Sequence, residues 1–210
     1  MTEQNFSSMR AAMVESQLRT SDVDDQRVIA AMAKVPREDF VPAERRAMAY
    51  IDRAVPLSNG RALNPPLATG RLLKEGRVEE GDRVLLIGAA TGYSAALLTA
   101  LGAKVTAVEA EDGPQLLDGA AEVVRGALAA GAPEGAPYDL LFIDGAVEEV
   151  PAALVQQLAD GARVVTGLVE RGVTRLCSGR VISGVLGLAS LADLEMVVLP
   201  GFSAPERFVF

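Results

Sequence analysis

The residues with the clearest chemical meaning form a glycine-bearing turn between an apolar run and a helix-like segment. The run covers residues 83–87, and residues 94–101 have the composition of a helix. Small residues at such a turn let a ligand approach the backbone closely, and the start of a helix offers free N–H groups to an anion. Packing of the helix on the strand explains such a turn equally well. The turn consists of Gly88, Ala89, Ala90, Thr91, Gly92 and Tyr93.

Glu109 is the second part of this candidate site. It ends a predicted strand at residues 104–109 and lies 21 positions after Gly88. An acid at about 20 residues, at the end of the second strand, is placed to accept hydrogen bonds from ribose hydroxyls. A solvated acid at a strand end is the alternative. Together, the turn and the acid predict a nucleoside-bearing cofactor at the carboxyl ends of parallel strands.

A mostly parallel sheet must position these residues. The sequence predicts two helices over residues 7–35, with Ser21 and Asp22 as a cap between them, and then an irregular segment over 36–66. The remaining predicted elements are a helix at 67–75, strands at 83–87, 104–109, 139–144 and 163–168, a helix at 150–158, and strand-like runs at 172–177, 180–188 and 194–199. The order strand, helix, strand implies a right-handed parallel crossover, and the tail predicts an antiparallel addition at one edge.

We therefore predict one α/β domain over residues 1–210, since 210 residues fit a single core. Its parts are N-terminal helices with an irregular segment on the substrate side (1–66), a cofactor-binding core (67–170) and a C-terminal β addition (171–210). The apolar tail, uncharged over residues 181–191, leaves a homo-oligomer open as an alternative to a buried strand.

Composition excludes several classes of function. The net charge of −8, without a basic run, argues against nucleic acid as a partner. Histidine is absent, so hydrolases with a Ser-His-Asp triad and most zinc enzymes are excluded, and we expect no metal site. Cys177 is alone and is expected to be a small buried hydrophobe. Neither a signal-peptide pattern nor a stretch of about 18 apolar residues is present, so we expect a cytoplasmic protein without a membrane span.

Several motifs closely resemble protein-L-isoaspartate O-methyltransferases, in that family's order. The N-terminal motifs are the most specific, and the resemblance covers most of residues 9–170. The matching segments are 13–18, Asp25 with 27–32, 35–41, 49–52, 84–88 with 91–93, 108–109, 138–139, 150–151 with Leu154, and 157–158 with 161–165. The resemblance implies a Rossmann-like S-adenosylmethionine-dependent methyltransferase fold with an N-terminal helical extension.

The resemblance also implies an activity and its participants. The expected reaction is methyl transfer from S-adenosylmethionine to the carboxylate of an L-isoaspartyl residue in a damaged protein or peptide. Such a carboxylate is already ionised at neutral pH, so a chain without histidine can use it as the nucleophile. Positioning and desolvation then suffice for catalysis. The implied cofactor residues are those of the turn at 88–93 together with Glu109.

Other implied site residues lie on the substrate side. Asn64 stands where the family's Thr-Ile-Ser-Gln-Pro motif has its functional serine, and it is the candidate catalytic residue. Asp52, Pro66 and Asp144 are candidate substrate residues, although Asp144 is explained better as a cap for a helix near Val147. Asp52, with Tyr50, either lines the substrate cleft or anchors the irregular segment.

Two departures from the family predict weaker cofactor binding. Ala90 replaces a glycine, and its Cβ removes room and disfavours positive φ. The segment after Glu109, residues 110–127, is short by about two or three helical turns. These departures support an alternative, in which a catalytically impaired relative keeps the fold as a binding or dimerisation module. A nicotinamide-dependent oxidoreductase is disfavoured by the N-terminal helices.

Overall fold

A computed structural model describes residues 3–117 and 121–203. A seven-stranded sheet forms its centre and consists of β3 (Arg83–Ile87), β4 (Lys104–Glu109), β5 (Glu122–Arg125), β6 (Tyr138–Val147), β7 (Leu158–Glu170), β8 (Val173–Ile182) and β9 (Val185–Asp193). The strand order is β5-β4-β3-β6-β7-β8-β9. Strands β3 to β7 are parallel, whereas β8 and β9 are antiparallel to their neighbours. The predicted parallel sheet with an antiparallel edge is therefore confirmed.

Two N-terminal helices precede the sheet, as predicted. Helix α1 (Glu3–Met13) continues through a π-helical turn and a 3₁₀ turn to Ser21, and α2 covers Gln26–Lys34. The predicted cap at Ser21 and Asp22 is wrong. The side chain of Asp25 caps α2, because its carboxylate accepts the N–H groups of Arg27 and Val28 at 2.8 and 3.2 Å.

The irregular segment contains a small hairpin, β1 (Val55–Pro56) and β2 (Ala62–Leu63). Asn59 and Gly60 both have positive φ, and the N–H of Arg61 donates to the carbonyl of Ser58 at 3.1 Å. This is the geometry of a tight hairpin turn, for which Asn-Gly is the preferred pair. The turn aims the Arg61 side chain back towards the sheet. We call residues 55–63 the Arg61 hairpin.

Three further α-helices lie within the described residues: α3 (Pro66–Gly76), α4 (Tyr93–Ala100) and α5 (Ala152–Val155). The last is shorter than the predicted helix at 150–158, because β7 already begins at Leu158. Buried apolar residues cover both faces of the sheet, which accounts for the continuous apolar strands β3 and β6. Within the described residues, no helix combines the length and apolar composition that crossing a membrane requires.

The tail differs from its prediction. The runs expected at 172–177 and 180–188 belong to two long strands, β8 and β9, joined by a turn at Ser183 and Gly184. The run at 194–199 makes an isolated bridge from Val198 to Ala146. Cys177 is buried in β8, as expected. Residues 204–210 of the predicted C-terminal addition lie outside the described residues.

Candidate functional site

The predicted turn and acid meet at the carboxyl ends of β3 and β4. The N–H groups of Gly88 and Ala89 donate to the carbonyl of Val108, which joins the turn to the last residues of β4. The N–H of Ala90 donates to Glu109 Oε2 at 2.5 Å. Parallel strands place their ends at one sheet edge, so residues 19 or 20 positions apart in sequence become direct neighbours.

Ala90 adopts the left-handed conformation, although its Cβ disfavours a positive φ. Its φ is +51°, and its side chain is buried. Non-glycine residues adopt this conformation at a cost, which is of order 1 kcal/mol or more. Gly92, which precedes α4, has a φ of +98°. The turn therefore keeps its positive-φ backbone even though alanine stands at one of these positions.

Glu109 is fully buried and bound by an arginine that sequence reasoning missed. Arg61 donates from Nε to Oε1 at 3.0 Å and from Nη2 to Oε2 at 2.9 Å, and it is itself only 4% exposed. Ala90 and Ala110 add backbone N–H donors to the same carboxylate. Such a two-pronged pair in a dry environment is strong and geometrically specific. The Asn59-Gly60 turn was the one sequence signal that could have indicated an aimed side chain after it.

The chain also covers this carboxylate from other directions. A Cβ on Gly113 would lie 2.7 Å from Glu109 Cγ, so the segment after β4 folds back tightly over the acid. On the strand side, a Cβ on Gly88 would lie 2.8 Å from Leu199 Cδ1 and 3.2 Å from Arg61 Nη2. Leu199 is held there by its backbone N–H, which donates to the carbonyl of Ala146. These contacts occupy the space beside the turn.

In this arrangement the space that an adenosyl group needs is filled by the chain itself, although the residue types suit one. A glycine at the strand end and an acid at the next strand end are present, yet the carboxylate oxygens are engaged by Arg61 and by backbone donors. The predicted shortening after Glu109 has a structural counterpart. Residues 110–117 contain no helix, and Leu116 packs across Gly92. Residues 118–120 of this segment lie outside the described residues.

Asn64 and Asp144 form a second buried cluster next to this one. Asn64 donates from Nδ2 to Asp144 Oδ1 at 2.8 Å, and its Oδ1 accepts the N–H of Val197 at 2.8 Å. Ser94, in the first turn of α4, donates to Asp144 Oδ2 at 2.6 Å. The helix cap expected for Asp144 is wrong, since β6 continues through it to Val147. Its carboxylate instead ties the irregular segment to α4.

Arg37 contacts this cluster through the backbone carbonyl of Asn64. It is fully buried, donating to the carbonyls of Ala49 at 2.7 Å and Asn64 at 2.5 Å. Its guanidinium lies 4.9 Å from the ring centroid of Tyr93, which is a cation–π contact. Burial lowers the pKa of Arg37 and raises the pKa of Tyr93 to about 12. The positive charge therefore faces a tyrosine that stays neutral.

The remaining predicted residues have structural partners of their own. Thr91 donates from its hydroxyl to the carbonyl of Phe40 at 2.6 Å. Asp52 is exposed and accepts the N–H of Leu67, in the first turn of α3, at 3.0 Å. Pro66 is the buried first residue of α3. Tyr50 donates to Glu38 and accepts from Arg10, so it anchors the irregular segment to α1.

Asp144 should make stability fall as pH rises. Burial raises its pKa above the ordinary value of 3.8, against the hydrogen bonds from Ser94 and Asn64. The unfolded chain then loses this proton first, so the contribution is complete below about pH 4 and is lost as pH passes the folded pKa. The free energy of unfolding of the wild type, relative to Asp144→Asn, should decrease from pH 4 to 7. Urea titrations check this, and a difference that grows with pH would show that the folded state prefers the carboxylate.

Comparison with known proteins supplies the family. The family model for protein-L-isoaspartate(D-aspartate) O-methyltransferase (PCMT) matches residues 8–177. A protein-L-isoaspartate O-methyltransferase of Koribacter versatilis is 34% identical over 205 residues, covering 93% of this chain and 92% of the relative. One from Methanoculleus marisnigri is 39% identical over 173 residues, covering 77% and 78%.

Solved structures agree on the fold. A Plasmodium falciparum protein, described as a protein-L-isoaspartate O-methyltransferase in complex with S-adenosyl-L-homocysteine, superimposes with a TM-score of 0.75. The match has 20% identity and covers 90% of this chain and 97% of that one. The predicted methyltransferase fold is thus confirmed. Because the family model and near-full-length relatives agree, the chain belongs to the protein-L-isoaspartate(D-aspartate) O-methyltransferase family.

Proposed function

We propose that this protein is an S-adenosylmethionine-dependent methyltransferase that esterifies the carboxylate of L-isoaspartyl residues in damaged proteins. The observation that carries this proposal is the family match over residues 8–177, with relatives that align over nearly their whole length. When bound, the cofactor supplies a methyl group on a sulfonium. The substrate supplies an ionised carboxylate, so this histidine-free chain has to bind, orient and exclude water rather than remove a proton.

We assign the site residues on the same basis. Residues 88–93 and Glu109 form the cofactor side. Asn64 is the catalytic candidate, with Asp52, Pro66 and Asp144 on the substrate side. The Asn64 side chain supports a role near a carboxylate, since its amide already donates to one in Asp144. Asp52 has the weaker support, because it is exposed and bonded to the start of α3.

A fold retained for binding or dimerisation without catalysis is the second candidate. One observation favours it, namely the Arg61 guanidinium bound to the acid on the cofactor side. The comparisons favour the enzyme, because the curated relatives are named as methyltransferases over matching lengths. A cytoplasmic location, a single domain and a homo-oligomeric state remain predictions.

Transfer of a labelled methyl group tests the proposal directly. The purified protein, incubated with S-adenosylmethionine carrying a tritiated methyl group, should label a short peptide that contains L-isoaspartate. The same peptide with ordinary aspartate is the control and should remain unlabelled, because its free carboxylate is positioned differently relative to the backbone. Absence of label on the isoaspartyl peptide, under conditions in which a relative labels it fully, would rule out this substrate.

A further inference from the structure

Arg61 binds Glu109, which is the acid that binds the cofactor under the proposed function. Glu109 has no exposed surface, and Arg61 uses two of its nitrogens to bind both carboxylate oxygens. Ribose hydroxyls, which an acid at this position receives in related sheets, require the same lone pairs. Arg61 and a bound nucleoside therefore compete for one carboxylate.

Arg61 belongs to an element with little backbone pairing of its own. The Arg61 hairpin has only two residue pairs, Val55 with Leu63 and Pro56 with Ala62. A two-stranded hairpin of this size is barely stable alone. Its tip, residues 58–60, is exposed, and Asn59 contacts the sheet side through one hydrogen bond to the carbonyl of Asp112.

The hydrogen bonding of the buried Arg61 guanidinium is also incomplete. Its Nη1 is buried and has no hydrogen-bond partner within the described residues. A buried donor without a partner is unfavourable, so it offsets part of the stabilisation that the ion pair with Glu109 provides. By comparison, Arg163 pairs with Asp82 at 2.6 Å and uses its Nη1 on the carbonyl of Arg77. Of these two arginines, Arg61 has the less complete set of hydrogen bonds.

We propose that Arg61 sets the affinity of this protein for its cofactor by occupying Glu109 until a nucleoside displaces it. This inference rests on the proposed function. Only molecules with Arg61 away from Glu109 bind, so the apparent affinity is lowered by the fraction that is open. Removing the guanidinium removes the group that binds both oxygens of the carboxylate.

Calorimetric titration with S-adenosylhomocysteine tests this on the full chain. Arg61→Met should bind at least about tenfold more tightly than the wild type. Arg163→Met, which removes an ion pair distant from the turn, is the matched control and should bind like the wild type. Equal or weaker binding by Arg61→Met would overturn the inference alone. Lack of binding by every protein at millimolar ligand would overturn the proposed function together with it.

A measurement on the wild type covers the case in which Arg61→Met folds poorly. The Arg61 Nε–H group is buried against Glu109 and should exchange slowly with water in the free protein, as seen by NMR. Saturation with S-adenosylhomocysteine should shift this resonance and speed its exchange at least tenfold. A resonance that stays protected while the ligand is bound would overturn the displacement of Arg61.

Discussion

Replacing Glu109 by glutamine is expected to weaken cofactor binding strongly and to lower the free energy of unfolding by about 3 kcal/mol. Arg61, Ala90 and Ala110 all donate hydrogen bonds to this carboxylate, and the pair is buried. A glutamine would turn an NH₂ group towards donors and leave Arg61 as an uncompensated buried charge. Binding of S-adenosylhomocysteine should weaken by at least about 100-fold, since the acid that receives the ribose is lost.

Glu111→Gln is the matched control for this prediction, because Glu111 is an exposed acid two residues further along. Its unfolding free energy should stay within about 0.5 kcal/mol of the wild type. The double variant Arg61→Met/Glu109→Gln should lose less free energy of unfolding than the two single variants summed. Each single change leaves the other residue buried without its partner. A change below 1 kcal/mol for Glu109→Gln would contradict the buried ion pair.

Arg37→Met is the second change with a large expected effect, a loss of about 3 kcal/mol in the free energy of unfolding. The substitution removes two charge-assisted hydrogen bonds, to the carbonyls of Ala49 and Asn64, and leaves both acceptors buried without this donor. It also removes the cation–π contact with Tyr93. Asn64 clamps Asp144 and Val197, so the substrate side should loosen with it.

Denaturant unfolding of Arg37→Met measures this effect, with Arg46→Met as the control. Arg46 lies in the same segment but pairs with Asp39 at 3.8 Å while about half exposed. Exposed pairs of this kind contribute about 0 to 1 kcal/mol. Similar losses in the two variants would mean that the buried position of Arg37 has no special effect on stability.

The first parallel strands of the sheet were predicted best from sequence, because local patterns identify them. Residues 83–87 and 104–109 are short apolar runs separated by one turn and one helix, so their parallel pairing follows from chain order and handedness. The positive φ at Ala90 was not predicted, because a Cβ disfavours that conformation. Strand β5 was missed, because its four residues lack the long apolar run of the other strands and the described residues 110–117 before it contain no helix.

The polar contacts of the site could not be predicted in this way. Asp144 pairs with Asn64, which lies 80 positions away, and Glu109 pairs with Arg61 across 48 positions. Periodicity identifies a strand end but not the side chain that reaches it from another segment. For Asp144 the local sequence favoured a helix cap, whereas in the folded chain it lies in β6 and its carboxylate accepts a hydrogen bond from Ser94. The Asn59-Gly60 turn was readable, but its consequence for Arg61 depends on where the hairpin packs.

A crystal structure of the protein with S-adenosylhomocysteine tests the role of Glu109 and Arg61 most directly. We expect a ribose whose hydroxyls bind Glu109 beside the turn at residues 88–93, with the Arg61 guanidinium moved off the carboxylate. A ligand bound elsewhere, or a saturated complex in which Arg61 still holds both oxygens of Glu109, would contradict it.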